Sequence, residues 1–448
     1  MKKLIQTLKN IWTIEELRSK IIVTLALVFT YRLGTHIVLP GMNPNLLASA
    51  QANAAQNGLL GLFDTFAGGA FSQASILALG IMPYISASIF MQLMTILVPQ
   101  LQKVQKEGDS GRKKINQWTR YLTVIVTAFQ ASAYVAYLNG PGYAEAIIPA
   151  YKSYFAISTI LTLTAGTLFV MWLGEKIQDK GLGNGTSIII MVGILARFPQ
   201  ALIQEFGAKQ ARGGGGLLIF LIEIAIFIAI VMGIIVLVQG VRKIPVNYAK
   251  QIIGNRQFGG ARQFLPMKVN MAGVMPIIFA QAIMFLPTLF SFTNMEAGQG
   301  IAKVFGDHSN FYYMLVYAVM VIAFTFLYTA LIFNPKQMAE DLKRNNGFIP
   351  GVKPGQPTAD YIGAIMDKIT LPGAVFLALV GILPGFAQRL GVTSSFSSFF
   401  GGTSLLIMVG VILDTLQQIE TQLLMRQYDG LMNSGRLQGR QSITPASV

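Results

Sequence analysis

Ten separate stretches of this chain are apolar over about the 20 residues that a helix needs to cross the hydrocarbon core of a bilayer. They lie near 21–39, 75–98, 119–138, 154–173, 186–204, 216–238, 269–290, 311–333, 371–387 and 400–418. Lipid offers no water to backbone amides, so each stretch is predicted to be a helix. The alternating pattern of a membrane barrel is absent. Composition agrees: 53% of the 448 residues are hydrophobic and only 12% are charged, against about 25% charged in soluble proteins. The segment 1–20, MKKLIQTLKNIWTIEELRSK, is amphipathic, and no small-residue cleavage site of the usual kind follows the next apolar run. It reads as a retained polar segment, not a cleaved signal.

Lys and Arg in the loops set orientation. The N-terminus, the loops after the second, fourth, sixth and eighth spans and the C-terminus hold 26 basic residues, or 27 with Arg120, while the alternate loops hold 5. The first of those, 37–74, has none. Both termini are therefore predicted to be cytoplasmic. Ten spans with both ends on one side divide into five and five of opposite orientation, as in an inverted repeat about an axis in the membrane plane. No clear sequence identity relates 20–204 to 216–423. The expected fold is an all-α polytopic membrane protein whose halves, 21–204 and 216–423, flank an external hinge at 205–215 and precede a cytoplasmic tail at 424–448.

Two of the positive loops are long, about 240–268 and 334–370. The stretch 242–268 carries six basic residues and no acidic one. The Pro and Gly punctuation of 334–370 predicts a structured, protruding loop. On the other side, LLGLFDTFAGGAFSQAS (59–75) is apolar but too short to span, and suits a re-entrant helix.

Catalytic chemistry has little to work with. There is no cysteine, which excludes disulfides and thiol nucleophiles. His36 and His308 lie on different outer segments, and no HExxH, GxSxG or phosphate-binding loop occurs. Arg32, Glu223 and Asp414 are the ionisable residues noted within spans, with His36 near a span end. Such residues are functional candidates, although Arg32 could serve carbonyls and Asp414 could lie at the interface. An ion-coupled transporter would need a polar midplane site, and an intramembrane enzyme a nucleophile and base; neither is visible. The isoleucine pairs Ile81/Ile85 and Ile190/Ile194 each share a helix face, a spacing that ordinary packing also explains.

Longer motifs narrow the reading. ALGIMPYISAS (78–88), EGDSGRKKINQWTRY (107–121), WLGEKIQDKGLGNGTSIII (172–190), KIPVNYAK (243–250), LPMKVNMAGVMPIIFA (265–280), FNPKQMAEDLKRNNGFIPGVKPGQPT (333–358) and FGGTSLLIMVGVILD (400–414) resemble, in order, the SecY family of bacterial protein-conducting channel subunits. The resemblance implies an hourglass of two five-helix halves. Its waist would be a ring of Ile81, Ile85, Ile190, Ile194, Ile278 and Ile407. A plug helix, about 59–74 and centred on Leu62, Phe63, Asp64, Thr65, Phe66, Ala67, Gly68, Gly69, Ala70, Phe71 and Ser72, would close the outer funnel. A lateral gate would open between spans two–three and seven–eight. Ser86 and Gln130 are its candidate polar lining. Pro83 is expected to leave a hydrogen bond unmade in the gate helix, and Ser86, Ala87 and Ser88 to allow close, separable packing.

The resemblance also implies partners: the small membrane subunits SecE and SecG, the SecA ATPase, the ribosome with its RNA, signal peptides and secretory chains, and membrane lipid. The docking residues would be Arg242, Lys243, Lys250, Arg256, Arg344 and Lys353. Where the family often has arginine before the Pro-Gly of the second loop, this chain has Lys353, which keeps the charge but not the planar fork. Arg256 stands alone where adjacent arginines are common. No cofactor, metal site or catalytic residue is expected. The implied location is the bacterial plasma membrane.

Overall fold

The computed structural model describes residues 12, 14–47, 64, 66–140, 143–211, 215–248, 251–253, 256–258, 262–289 and 310–436. Each of the ten expected runs contains a helix. The first half holds α1 (Glu15–Thr35), α2 (Met82–Leu97), α3 (Pro99–Lys106), α4 (Asp109–Leu138), α5 (Lys152–Lys180) and α6 (Gly185–Gln210). The second holds α7 (Gly216–Gln239), α8 (Met275–Leu289), α9 (Phe311–Ile332), α10 (Pro335–Arg344), α11 (Gln356–Arg389), α12 (Ser394–Ser397) and α13 (Gly402–Arg436). The short α3, α10 and α12 lie outside or between the expected spans; the other ten helices fall in the ten expected runs. Among the described residues, seven helices are by themselves long and apolar enough to cross a bilayer, or eight if the bent pair α2–α3 counts as one span.

Several hydroxyls inside the spans are satisfied locally, though those of Thr159, Thr167 and Tyr317 are buried without a partner among the described residues. Thr119, Thr123, Thr127, Thr325 and Thr370 each donate to the carbonyl four residues earlier, which removes their demand for water at membrane depth. Asparagine side chains cap the starts of α6, α9 and α10: Asn184 accepts from Ser187 N, Asn310 from Tyr312 N, and Asn334 from Lys336 N and Gln337 N. Such caps occupy amides that the helix itself cannot satisfy.

Two expectations need correction. The second span was expected from residue 75, but α2 begins at Met82. Pro83 therefore lies in the first turn, where an amide has no helical acceptor anyway. It breaks nothing. The break comes at the other end, where the chain turns by 103° into α3. The plug was expected as a helix; past Phe66, residues 67–74 and 76–81 form turns, with a bridge from Ser75 to Val38 between them. Gly68 and Gly69 explain this, at φ +65° and +93°, in the left-handed region that stops a helix. In addition, α6 runs through Gln210, so much of the expected hinge at 205–215 is helical.

Among the described residues, apolar packing divides into four clusters. One lies in the first half around Leu39, Ala131, Tyr134, Leu138 and Phe155, and one in the second around Ile234, Ile277, Val321, Leu377 and Leu406. A third joins both halves through Tyr31, Ile81, Ile190, Ile194, Phe396 and Ile407. The fourth lies on the side of the long positive loops.

That fourth cluster comes with a sheet. The strands are β1 (Val241–Tyr248), β2 (Gln251–Ile253), β3 (Arg256–Phe258), β4 (Arg262–Lys268) and β5 (Gly347–Phe348). β1 pairs antiparallel with β4, for example Ile244 opposite Leu265, and with β5, where Asn247 faces Phe348. The three-stranded order is β4-β1-β5, and β2 and β3 form a separate hairpin. All-helical expectation thus holds for the spans but not for these loops. Alternation within VRKIPVNY is the cause: Ile244 and Val246 are buried against Met267, Leu342, Ile349 and Ile362, while Arg242 and Lys243 stay exposed.

Candidate functional site

All six isoleucines expected at the waist fall in the cluster shared by the two halves. Ile194, Ile81, Ile407 and Ile190 are 0%, 4%, 5% and 7% exposed, and the half-buried Ile85 and Ile278 pack against them. They come from α2, α6, α8 and α13. Ile81 immediately precedes α2, yet its carbonyl accepts the first helical bond, from Ile85 N at 3.1 Å, so the two side chains share a face. The six branched aliphatic side chains offer no hydrogen bond to an ion or a peptide, so a ring formed of them would exclude water when closed and would not bind what passes when separated.

The segment expected to form the plug lies directly on this cluster. Phe66 is part of it. A Cβ on Gly193, between Ile190 and Ile194, would sit 2.5 Å from the Phe66 carbonyl oxygen, and one on Gly68 would sit 2.9 Å from Gly193 Cα. Backbone therefore packs on backbone, and only glycine fits. Ala67 and Ala70 are buried as well. Leu62, Phe63 and Thr65 lie outside the described residues.

Two arginines hold the segment. Arg32 on α1 donates to Gly68 O at 3.1 Å. Arg197 on α6 pairs with Asp64 and also donates from Nη2 to Ser72 Oγ at 2.8 Å. Asp64 in turn accepts from Ser72 N at 2.8 Å, and the Tyr134 hydroxyl donates to Phe71 O at 2.6 Å. Sequence reasoning noted Arg32 but missed Arg197, although it follows Ile194 by three residues and shares its helix face.

A second charged group was also missed. At the C-terminal end of α6, Lys209 Nζ lies 3.3 Å from Glu205 and 2.7 Å from Glu223 on α7, with side chains 3%, 0% and 9% exposed. Lys209 donates to Gly391 O at 3.0 Å, and Glu205 accepts from Thr393 N at 2.8 Å and from the Thr393 hydroxyl. The cluster ties the first half to the second beside the α6–α7 connection. Glu223, noted from the sequence without a partner, thus finds one. Asp414 is exposed.

At the expected gate, Ser86 is exposed and its hydroxyl donates to Met82 O of its own helix at 3.1 Å. Gln130 is half-buried on α4. The polar contact that crosses the seam is a different one: Tyr328 on α9 donates its hydroxyl to Gln92 Oε1 on α2 at 3.1 Å. Among the docking candidates, Arg242, Lys243, Arg344 and Lys353 are exposed. The β1–β5 pairing brings the two loops together. Arg256 lies on β3, and Lys250 lies outside the described residues.

Comparison with known proteins decides the family. Residues 75–416 match the family model described as SecY. The chain belongs to the SecY family. It is 41% identical over 431 residues to the protein translocase subunit SecY of Streptomyces galbus, covering 93% of this chain and 97% of that one. To the protein translocase subunit SecY of Chlamydia muridarum it is 39% identical over 458 residues, covering 97% and 99%. Among solved structures, a protein-conducting channel superposes with a TM-score of 0.62 at 15% identity over 90% of this chain and 92% of that one. A yeast Ssh1 complex bound to the 80S ribosome superposes with a TM-score of 0.59 at 15% identity over 89% of each. The ten spans thus take the two-half architecture of the SecY/Sec61 channels.

Proposed function

We propose that this chain is the pore subunit of a protein-conducting channel, passing unfolded secretory polypeptides across a bacterial plasma membrane and releasing apolar segments sideways into lipid. One observation carries the reading. Six isoleucines from four helices converge in a single cluster at the junction of the halves, with Gly68 and Phe66 packed on it. Membership of the SecY family supports it. Hydrocarbon makes an unsolvated ion cost from a few to more than ten kcal/mol, so a closed aliphatic ring needs no charged filter to hold the membrane potential.

The chain has no catalytic part in this reading. Work is supplied by partners, the SecA ATPase or the ribosome, docking on the exposed cations of the joined loops. Positive protrusions suit the phosphates of ribosomal RNA. Small membrane subunits of the SecE and SecG kinds would cover the apolar flanks, where α7 exposes Leu217, Leu221, Met232 and Val236. Both termini would be cytoplasmic, from the bias of basic residues.

Conductance in a planar bilayer tests the proposal. The intact complex should stay closed, and a complex lacking 62–72 should leak. A stoichiometric uptake of a small solute, with no leak on deletion, would point to a transporter instead.

A further inference from the structure

We propose that Arg197 is the latch of the resting channel, a guanidinium whose pairing with Asp64 and Ser72 fixes how readily the plug segment leaves and therefore how strong a signal sequence must be to open the pore. The proposal rests on the plug reading above and adds the group that holds the plug.

The geometry is that of a clamp around a closed loop. Asp64 binds the segment's far end through Ser72 N, at 2.8 Å, and its own carbonyl accepts from Gly69 N, also at 2.8 Å. Arg197 then joins both ends at once, pairing with the Asp64 carboxylate and donating to Ser72 Oγ at 2.8 Å. The guanidinium also lies across the middle of the loop: a Cβ on Gly69 would fall 2.9 Å from its Nε. Any side chain at position 69 would push the arginine off its partners.

Position on the helix makes the clamp relevant to the pore. Arg197 follows Ile194 by one helical step on the same face, just outside the ring. Arg32 approaches from α1 and donates to Gly68 O at 3.1 Å. Departure of the segment therefore breaks charge-assisted hydrogen bonds from two arginines, Arg197 to Asp64 and Ser72 and Arg32 to the Gly68 carbonyl. Side-chain exposure of 28% for Arg197 and 14% for Asp64 shields the pair from the screening that weakens surface ion pairs.

The latch is also reversible. It contains no covalent bond, and each partner regains water when the vestibule opens. Its strength therefore sets a threshold: a signal sequence must supply at least the free energy that the latch holds back, and a weaker latch admits weaker signals.

The test uses the complete complex, reconstituted with its membrane partners. Resting conductance and export of a substrate with a defective signal sequence are measured for Arg197→Ala, Asp64→Asn, the exchanged pair Asp64→Arg with Arg197→Asp, and deletion of 62–72. Breaking charge-assisted hydrogen bonds should raise the resting open population by about tenfold to a hundredfold in each single variant. Defective-signal export should rise in parallel, and the exchanged pair should recover most of the closure. Asp64→Asn keeps the side-chain shape, so its leak cannot be put down to misfolding. If the deletion leaks while both single variants stay closed, the latch is overturned and the plug reading stands. An exchanged pair as leaky as the single variants would also overturn the latch. If the deletion itself stays closed, the plug reading fails and the latch with it.

Discussion

The Tyr328 hydroxyl on α9 donates to Gln92 Oε1 on α2 at 3.1 Å, joining the two halves of the chain across the seam where the resemblance implies a gate. Interhelical hydrogen bonds in membranes contribute about 0.6 kcal/mol on average. Tyr328→Phe keeps the ring and removes only the donor. It should shift the closed–open balance of the gate toward open by about threefold. Export of a reporter with a weakened signal sequence measures this, and an unchanged yield would mean the contact does not hold the gate.

The buried Lys209–Glu205–Glu223 cluster should behave differently. Removing one member of a buried ion group leaves the others uncompensated, at a cost of about 3–5 kcal/mol. Glu205 Oε1 and Glu223 Oε2 lack hydrogen-bond partners among the described residues, so Lys209→Met leaves two buried carboxylates without their cation and Glu205 held only by Thr393. Its thermal unfolding in detergent should fall well below that of the parent. The neutral triple variant, Lys209→Met with Glu205→Gln and Glu223→Gln, should recover much of the loss. A Lys209→Met protein melting like the parent would remove the cluster from any structural role.

Docking on the positive loops should depend on charge more than on shape. Arg242 and Lys243 are exposed on a strand whose Ile244 and Val246 anchor it. Lys243→Ala and Arg344→Ala should therefore leave the fold intact and weaken ribosome binding. For contacts to RNA phosphate, the dependence of log affinity on log salt should become shallower by about one unit per cation removed. Binding titrations at several salt concentrations give that slope, and an unaltered slope would place the contact elsewhere.

Wetting the ring should open it. Ile407→Asn puts an amide among aliphatic groups that cannot satisfy it, so water entry becomes favourable and resting conductance should rise. Single-channel recording measures this. A variant as tight as the parent would show that Ile407 does not contribute to the seal.

Much of this was legible in the sequence, for identifiable reasons. Span positions follow from apolar length, which is a property of the chain alone. The ring isoleucines could be named because family motifs place them, although spacing alone did not separate them from packing residues. What escaped depended on partners distant in sequence. Arg197 lies within an apolar run and is separated from Asp64 by 133 positions, so nothing local marks the pair. Glu205 and Lys209 looked like part of a polar hinge because the run before them ends near 204, whereas the helix continues through Gln210. Pro83 is expected to cost a helical hydrogen bond only because the helix start is placed too early; a proline's effect depends on how far it lies from that start. The sheet that joins the two loops arises from alternation in VRKIPVNY, a short signal beside the long apolar runs that dominate the chain.

The most direct test of the account is where a moving polypeptide touches the channel. A secretory chain stalled in mid-passage should crosslink to photoreactive groups placed at positions 81, 85, 190, 194, 278 and 407, and not to groups at exposed positions on α7 such as Leu218 and Ile222. Crosslinks absent from all six ring positions, with the stalled chain attached elsewhere, would contradict the claim that these isoleucines line the path.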